Sequence, residues 1–257
     1  MDLQGKTVVI TGATSGIGEA CAKAFAAQGS SLVLAARRKE LLEKTASELK
    51  KTYGVPVEFF TLDVRSRKAV FAFADDLAAK KLIPDVLINN AGLARGLSKL
   101  HEGNVDDWEE MIDTNVKGLL YVSRALLPLM VARNYGHIVN MGSLAGRIIY
   151  PAGNVYCASK AAVDALNQAI NLDLVGTNIR ASLIEPGTVK TNFSAVRFSG
   201  DQARAEAVYD GLRYLTAEDI AAAILYVVQA PDNVNIQSLL ITPTDQRNPY
   251  VVHREKK

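Results

Sequence analysis

Tyr156 and Lys160 lie four residues apart in the run Tyr-Cys-Ala-Ser-Lys, a stretch of helical character. On a helix that spacing puts the phenol and the ammonium on one face, where the lysine charge favours the phenolate and is expected to lower the tyrosine pKa from about 10 toward neutrality. A phenol tuned in this way can serve as general acid or base in the interconversion of an alcohol and a carbonyl. The same pair also occurs on amphipathic helices as an ordinary surface contact. Ser143, at the end of the preceding apolar run, is placed to hold a substrate oxygen beside Tyr156, or simply to cap a helix.

A second chemical signal follows the first apolar run, where Thr11-Gly12-Ala13-Thr14-Ser15-Gly16-Ile17-Gly18 precedes a helix expected to begin near Glu19. Gly12, Gly16 and Gly18 let the backbone turn tightly, and Thr14, Ser15 and Ile17 lie at the helix N-terminus. Free N–H groups and the positive dipole end there suit a pyrophosphate. The spacing differs from Gly-x-Gly-x-x-Gly, so position between first strand and first helix carries the reading of a dinucleotide site. No Lys-Ser/Thr follows the last glycine, which argues against a nucleotide-hydrolysing phosphate loop.

The second apolar run ends in Ala36-Arg37-Arg38. An NAD site places a carboxylate here for the ribose 2′-hydroxyl, whereas guanidinium groups attract a 2′-phosphate, so Arg37 and Arg38 favour NADP. The alternative is that both belong to a solvated helix start. Asp63, followed by Val64 after the third run, can accept from an adenine amino group or cap the next helix. Asn90, Ala91 and Gly92 after the fourth run supply small and amide residues where a backbone must pass close to a cofactor; alone they would make an unremarkable turn.

These positions demand a frame that gathers strand ends. Aliphatic or β-branched runs at 8–10, 32–34, 57–60, 86–88, 137–139, 179–184 and 237–241 alternate with stretches such as 20–27, 41–49 and 69–79, whose apolar residues fall three and four apart. The alternation predicts an α/β fold: a single-domain, doubly wound Rossmann arrangement of seven parallel strands with helices on both faces. Ligands of such sheets bind at the carboxyl ends of the strands, where the motifs lie. With 257 residues the chain needs no second domain. Residues 188–214 lack a clear strand and are too long for a plain connection, which marks a substrate lid. The tail at 242–257 has few apolar residues; it is expected either to be disordered or to dock on a neighbouring subunit.

Composition narrows the partners. A formal net charge of +2, spread along the chain, gives no reason to expect nucleic acid or a membrane surface. The longest apolar run, about 220–228, falls short of the roughly twenty residues a bilayer needs. The N-terminus runs directly into a strand without the features of a signal peptide, so a cytoplasmic location is expected. Cys21 and Cys157 lack metal-type spacing and are read as reduced core residues, with no metal site expected.

Together, Thr11 to Gly18, Asn89 to Gly92, Asn115, Ser143, and Tyr156 with Lys160 resemble, in order and over nearly the whole chain, the short-chain dehydrogenase/reductase family. The resemblance implies an NADP-dependent oxidoreductase in which Asn115, Ser143, Tyr156 and Lys160 are catalytic. Tyr156 would exchange a proton with the substrate oxygen that Ser143 orients. Lys160 would bind the nicotinamide ribose, and Asn115 would hold a water extending the proton relay. Pro186, Gly187, Val189 and Thr191 would contact the nicotinamide carboxamide and the phosphates.

Stretches at 108–115, 153–156, 184–187, 193–198 and 234–236 are similar to the NADP-dependent 3-hydroxy acid dehydrogenases, a subgroup that includes serine and allo-threonine dehydrogenases. This implies a homotetramer acting on a small β-hydroxy acid such as L-serine, L-allo-threonine or 3-hydroxypropionate. After Gly187 the chain departs from the subgroup, whose segment is differently spaced and contains an acidic residue, so a lid of different shape is expected. A carboxylate substrate needs a cationic partner, for which Arg95, Arg147 and Arg197 are candidates. A broader carbonyl reductase acting on acyl, pterin or other ketones would use the same tetrad. A redox-sensing NADP-binding protein without turnover would be expected to have lost part of it.

Overall fold

In a computed structural model, which describes residues 1–255, the seven apolar runs form one parallel sheet in the order β3-β2-β1-β4-β5-β6-β7. The strands are β1 (Thr7–Thr11), β2 (Ser31–Ala36), β3 (Val57–Thr61), β4 (Val86–Asn89), β5 (Gly136–Met141), β6 (Ile179–Pro186) and β7 (Ser238–Ile241). The first helices are α1 (Gly16–Ala27), α2 (Lys39–Tyr53), α3 (Arg67–Ala79), α4 (Val105–Ile112) and α5 (Leu119–Arg133). They are followed by α6 (Leu144–Arg147), α7 (Asn154–Asp173), α8 (Phe193–Arg197), α9 (Gln202–Ala207) and α10 (Ala217–Gln229).

The central strands β1, β2 and β4 read as nearly unbroken apolar runs because both faces are covered. Side chains alternate across the sheet, so Val8, Ile10, Leu32, Leu34, Val86 and Ile88 join Phe25, Leu42, Ile224 and Val227 from α1, α2 and α10. Val9, Val33 and Leu87 face the other way, onto Phe73, Leu77, Leu126 and Met130 from α3 and α5. Cys21 and Cys157 are buried and free, and burial pushes the Cys21 thiol up to about 12. The strand order reverses between β1 and β4, the crevice where ligands of open parallel sheets bind.

Three elements differ from expectation. Helix α1 starts at Gly16 rather than near Glu19, because Ser15 is extended and forms its N-cap. The cap of α3 is Ser66, which accepts from the Ala69 N–H at 3.3 Å; Asp63 does not cap it. The tail is ordered against its own chain. Asp245 pairs with Arg213 at 2.6 Å, Gln246 Oε1 accepts from Thr188 N at 2.8 Å, and Glu255 N donates to Gly211 O at 2.8 Å. Lys256 and Lys257, also assigned to the tail, lie outside the described residues. Among the described residues no helix is long and apolar enough to cross a membrane, and no group of His, Cys, Asp and Glu could hold a metal ion.

Candidate active site

The loop after β1 is shaped by what its glycines exclude. Gly12 and Gly16 have φ of +67° and +55°, a region that side chains disfavour. A Cβ on Gly18 would stand 2.4 Å from the Gly12 carbonyl oxygen, so the helix can follow the loop this closely only without one. Asn90 holds the loop from below, its Nδ2 donating to the carbonyls of Thr11 at 2.9 Å and Gly12 at 3.2 Å. Thr11 Oγ1 accepts in return from the N–H groups of Asn90 and Ala91. The ends of β1 and β4 are thus sewn together beneath the opening of α1.

A cavity of about 780 Å³ runs along the strand ends from this loop to Tyr156 and on to the tail. At its outer end lie Ala36, Arg37, Arg38, Leu62, Asp63 and Val64. Arg38 lies against the loop, donating to Thr14 Oγ1 at 2.9 Å and Ser15 Oγ at 3.1 Å, while Arg37 stands 3.7 Å from Glu110. Both Asp63 oxygens are engaged by Arg65, at 2.6 Å for the shorter contact, and these bonds hold its carboxyl below the usual carboxylate range. Two guanidinium groups beside Ala36, with the nearby carboxylates of Asp63 and Glu110 paired to Arg65 and Arg95, make an end that fits a 2′-phosphorylated ribose.

At the inner end, Ser143 forms the N-cap of α6, its Oγ accepting from Ala145 N at 3.1 Å. Helix α6 packs backbone to backbone on α7: a Cβ on Gly146 would be 2.8 Å from the Lys160 carbonyl oxygen. That contact carries Ser143 to Tyr156, which is buried in the first turn of α7. Lys160 follows one turn later, with Nζ donating to Met141 O at 2.7 Å.

Asn115 lies in a π-helical turn, Asp113–Gly118, that joins α4 to α5, a local widening often found at functional sites. Its amide is committed to the Leu93 N–H at 2.9 Å, the Leu93 carbonyl at 2.8 Å and Ser159 Oγ at 3.0 Å. The side chain therefore pins the Gly92-Leu93 loop to α7. A Cβ on Gly92 would meet Asn115 Oδ1 at 3.2 Å and Lys160 Nζ at 3.5 Å, which places these groups around one point.

Electrostatics correct one expectation. Burial raises the Tyr156 pKa above its ordinary value of 10.0; a hydrogen bond from Ser143 and the Arg197 charge offset only part of this, and Lys160 does not set it. Burial likewise lowers the Lys160 pKa, from 10.5 to about 8. Its own ammonium is thus weakened, and its hydrogen bond goes to the Met141 carbonyl. Between about pH 8 and 10.5 the unfolded chain keeps a proton that native Lys160 has released, so stability rises with pH in this window. Below pH 8 both states hold the proton and the contribution is flat. Urea unfolding at stepped pH is expected to show the parent gaining stability over Lys160→Met only above about pH 8. A difference constant with pH would mean that the ammonium is not desolvated.

Residues 188–214 form a flap closed at its base by a parallel bridge between Val189 and Leu215. Pro186, Gly187, Val189 and Thr191 line the cavity beneath it. Of the three candidate arginines, two are spent elsewhere. Arg95 pairs with Glu110 at 2.6 Å and donates to Val196 O at 2.8 Å, and Arg147 pairs with Glu185 at 2.6 and 2.5 Å. Neither lines the cavity, whereas Arg197 does. Sequence reasoning missed Tyr150 and Phe193, the latter 5.7 Å from the Tyr156 ring, and tail residues Gln246, Tyr250 and Arg254. The aromatic pair carried a weak signal, lying within ten residues of Ser143 or just after Thr191; the tail carried none.

A model of the short chain dehydrogenase family matches residues 6–202. The chain is 45% identical over 250 residues to the NADP-dependent 3-hydroxy acid dehydrogenase YdfG of Escherichia coli (strain K12), covering 96% of this chain and 99% of that protein. It is 42% identical over 255 residues to the NADP-dependent 3-hydroxy acid dehydrogenase of Schizosaccharomyces pombe, covering 99% and 98%. Among solved structures, the closed form of serine dehydrogenase complexed with NADP⁺ superposes with a TM-score of 0.90 at 45% identity, over 97% of this chain and all of that one.

Proposed function

The chain belongs to the short-chain dehydrogenase family and is an NADP-dependent oxidoreductase, and on that premise we propose that it interconverts a small 3-hydroxy acid and its 3-oxo acid or semialdehyde. The observation that carries the alcohol–carbonyl chemistry is that Tyr156, Ser143 and Lys160 line a single cavity that also takes in Arg37 and Arg38. The activities named for the bacterial and yeast relatives support the substrate class.

Gly12, Gly16, Gly18 and the first N–H groups of α1 would hold the pyrophosphate of NADP, and Arg37 and Arg38 its 2′-phosphate. Lys160, with the Asn90 to Gly92 segment, would hold the nicotinamide ribose, and Pro186, Gly187, Val189 and Thr191 the carboxamide side. When bound, the nicotinamide accepts or gives up a hydride and, oxidised, carries positive charge. Ser143 Oγ, already accepting from Ala145 N, has one proton to donate, which a bound substrate oxygen would take over from the Tyr156 phenol. Tyr156 is poised as the protonated phenol, ready to give its proton to a carbonyl oxygen during reduction. In oxidation it takes the hydroxyl proton back as phenolate, a form that nearby positive charge must favour against burial. The rings of Phe193 and Tyr150 give this corner an apolar wall.

L-serine, L-allo-threonine and 3-hydroxypropionate offered with NADP⁺, and with NAD⁺ in parallel, test the proposal through NADPH absorbance. Turnover of at least one acid that depends on NADP⁺ is expected. Inactivity on all three, with activity on bulky ketones, would instead establish a broad carbonyl reductase.

A further inference from the structure

We propose that Arg197 is the receptor for the substrate's carboxylate, so that the cavity beyond Tyr156 selects monoanionic organic acids over neutral alcohols of the same size. This rests on the dehydrogenase reading and adds the group that recognises the charged end. Arg197 closes α8, the first helix of the flap, and its guanidinium carbon stands 5.6 Å from the Tyr156 ring centroid and 5.5 Å from that of Tyr150. Both rings therefore fix a cation immediately beside the reacting phenol.

The other cations of the cavity are already engaged or lie elsewhere. Arg37 faces Glu110, Arg38 lies on Thr14 and Ser15 at the opposite end, Arg254 donates to the carbonyls of Val208 and Asp210, and Lys160 donates to Met141. Arg197 donates from Nε to Gly96 O at 3.0 Å and from Nη1 to Tyr150 Oη at 2.9 Å. Both acceptors are neutral, and among the described residues no carboxylate comes within ion-pair distance of it. A guanidinium has five N–H donors in a planar fork, so further donors remain for a carboxylate.

Charge complementarity points the same way. Among the described residues the one acidic side chain lining the cavity, Asp63, lies at the far end and is held by Arg65. An anion beyond Tyr156 thus meets an uncompensated, half-buried cation and no opposing carboxylate, an environment in which pairing is strong. The flap also depends on this residue: Gly96 N donates to Arg197 O at 2.9 Å while Arg197 Nε returns a bond to Gly96 O. A carboxylate bound at Arg197 therefore fastens the flap over Tyr156, so recognition and exclusion of water share one contact.

The test compares 3-hydroxypropionate with its methyl ester, which presents the same carbinol without the charge, in the parent, Arg197→Met and Arg197→Lys. Arg197→Met is expected to lower kcat a few-fold for acid and ester alike, because the Arg197 charge beside the Tyr156 phenol is lost, and to raise KM about 10- to 100-fold for the acid only, the loss of a charge-assisted pair. Arg197→Lys is expected to recover part of the acid preference. Independently of turnover, propionate is expected to raise the melting temperature of the parent saturated with NADP⁺ but not that of Arg197→Met, whose own response to NADP⁺ confirms that it is folded. An equal change in KM for acid and ester, or a propionate shift that survives in Arg197→Met, would overturn the receptor and leave the dehydrogenase reading intact. A parent inactive on 3-hydroxypropionate but showing the Arg197-dependent propionate shift would remove the 3-hydroxy acid reaction and keep the receptor.

Discussion

Tyr156→Phe is expected to lower kcat by a factor of about 10² to 10⁴, the span typical of losing a positioned general acid–base, while leaving NADP⁺ binding and thermal stability near those of the parent. The substitution removes one oxygen and keeps the ring, which is in tilted contact with Phe193 and packs with Leu93 and Met111 in a small buried cluster. Its hydroxyl is held by Ser143 and has no other structural duty, since the backbone carbonyl of Tyr156, not its phenol, accepts the Ser159 hydroxyl at 2.7 Å. A parallel loss in kcat and in kcat/KM would mark an interaction made in the transition state. A variant that retained a tenth or more of parental kcat would transfer the proton role away from this phenol.

Much of this site could be read before any fold was known, because strand ends in a parallel sheet are fixed by short apolar runs and the motifs sit directly after them. Gly12, Arg37, Asp63, Asn90, Ser143 and Gly187 each fall within three residues of the end of a strand. The lack of a strand-like run in 188–214 was equally visible: in the structure this segment carries α8 and α9, and Val189 bridges to Leu215.

What escaped the sequence depends on partners remote along the chain. Nothing local distinguishes Arg197 from Arg95 or Arg147; the difference is made by Glu110 and Glu185, which stand 15 and 38 residues from the arginines they neutralise. The tail escaped for the same reason, being held by backbone bonds and by Asp245 with Arg213, contacts that leave no hydrophobic period. Helical spacing reveals a charge near Tyr156 but not the burial of both groups, and burial is the larger effect on the phenol here.

The same remote pairing gives the largest expected effect on stability. Glu185, 1% exposed at the end of β6, has its carboxylate bound by Arg147 at 2.6 and 2.5 Å and by the Ser238 hydroxyl at 2.6 Å. The pair fastens α6, and with it Ser143, to the strand that leads into Pro186-Gly187. Arg147→Met removes the charge that permits Glu185 to be buried. Breaking a fully buried pair from one side costs about 3–5 kcal/mol; because Arg147 is itself 43% exposed and screened by solvent, the expected cost here is about 2–3 kcal/mol, which for a chain of this size is roughly 5–10 °C in Tm. Adding Glu185→Gln removes the stranded charge while preserving an acceptor for Ser238, so the double variant is expected to recover more than half of the loss. Denaturant unfolding of the single and double variants closes the cycle. A single variant within about 1 kcal/mol of the parent, or a double variant less stable than the single, would show that the carboxylate reaches solvent or another cation when Arg147 is gone.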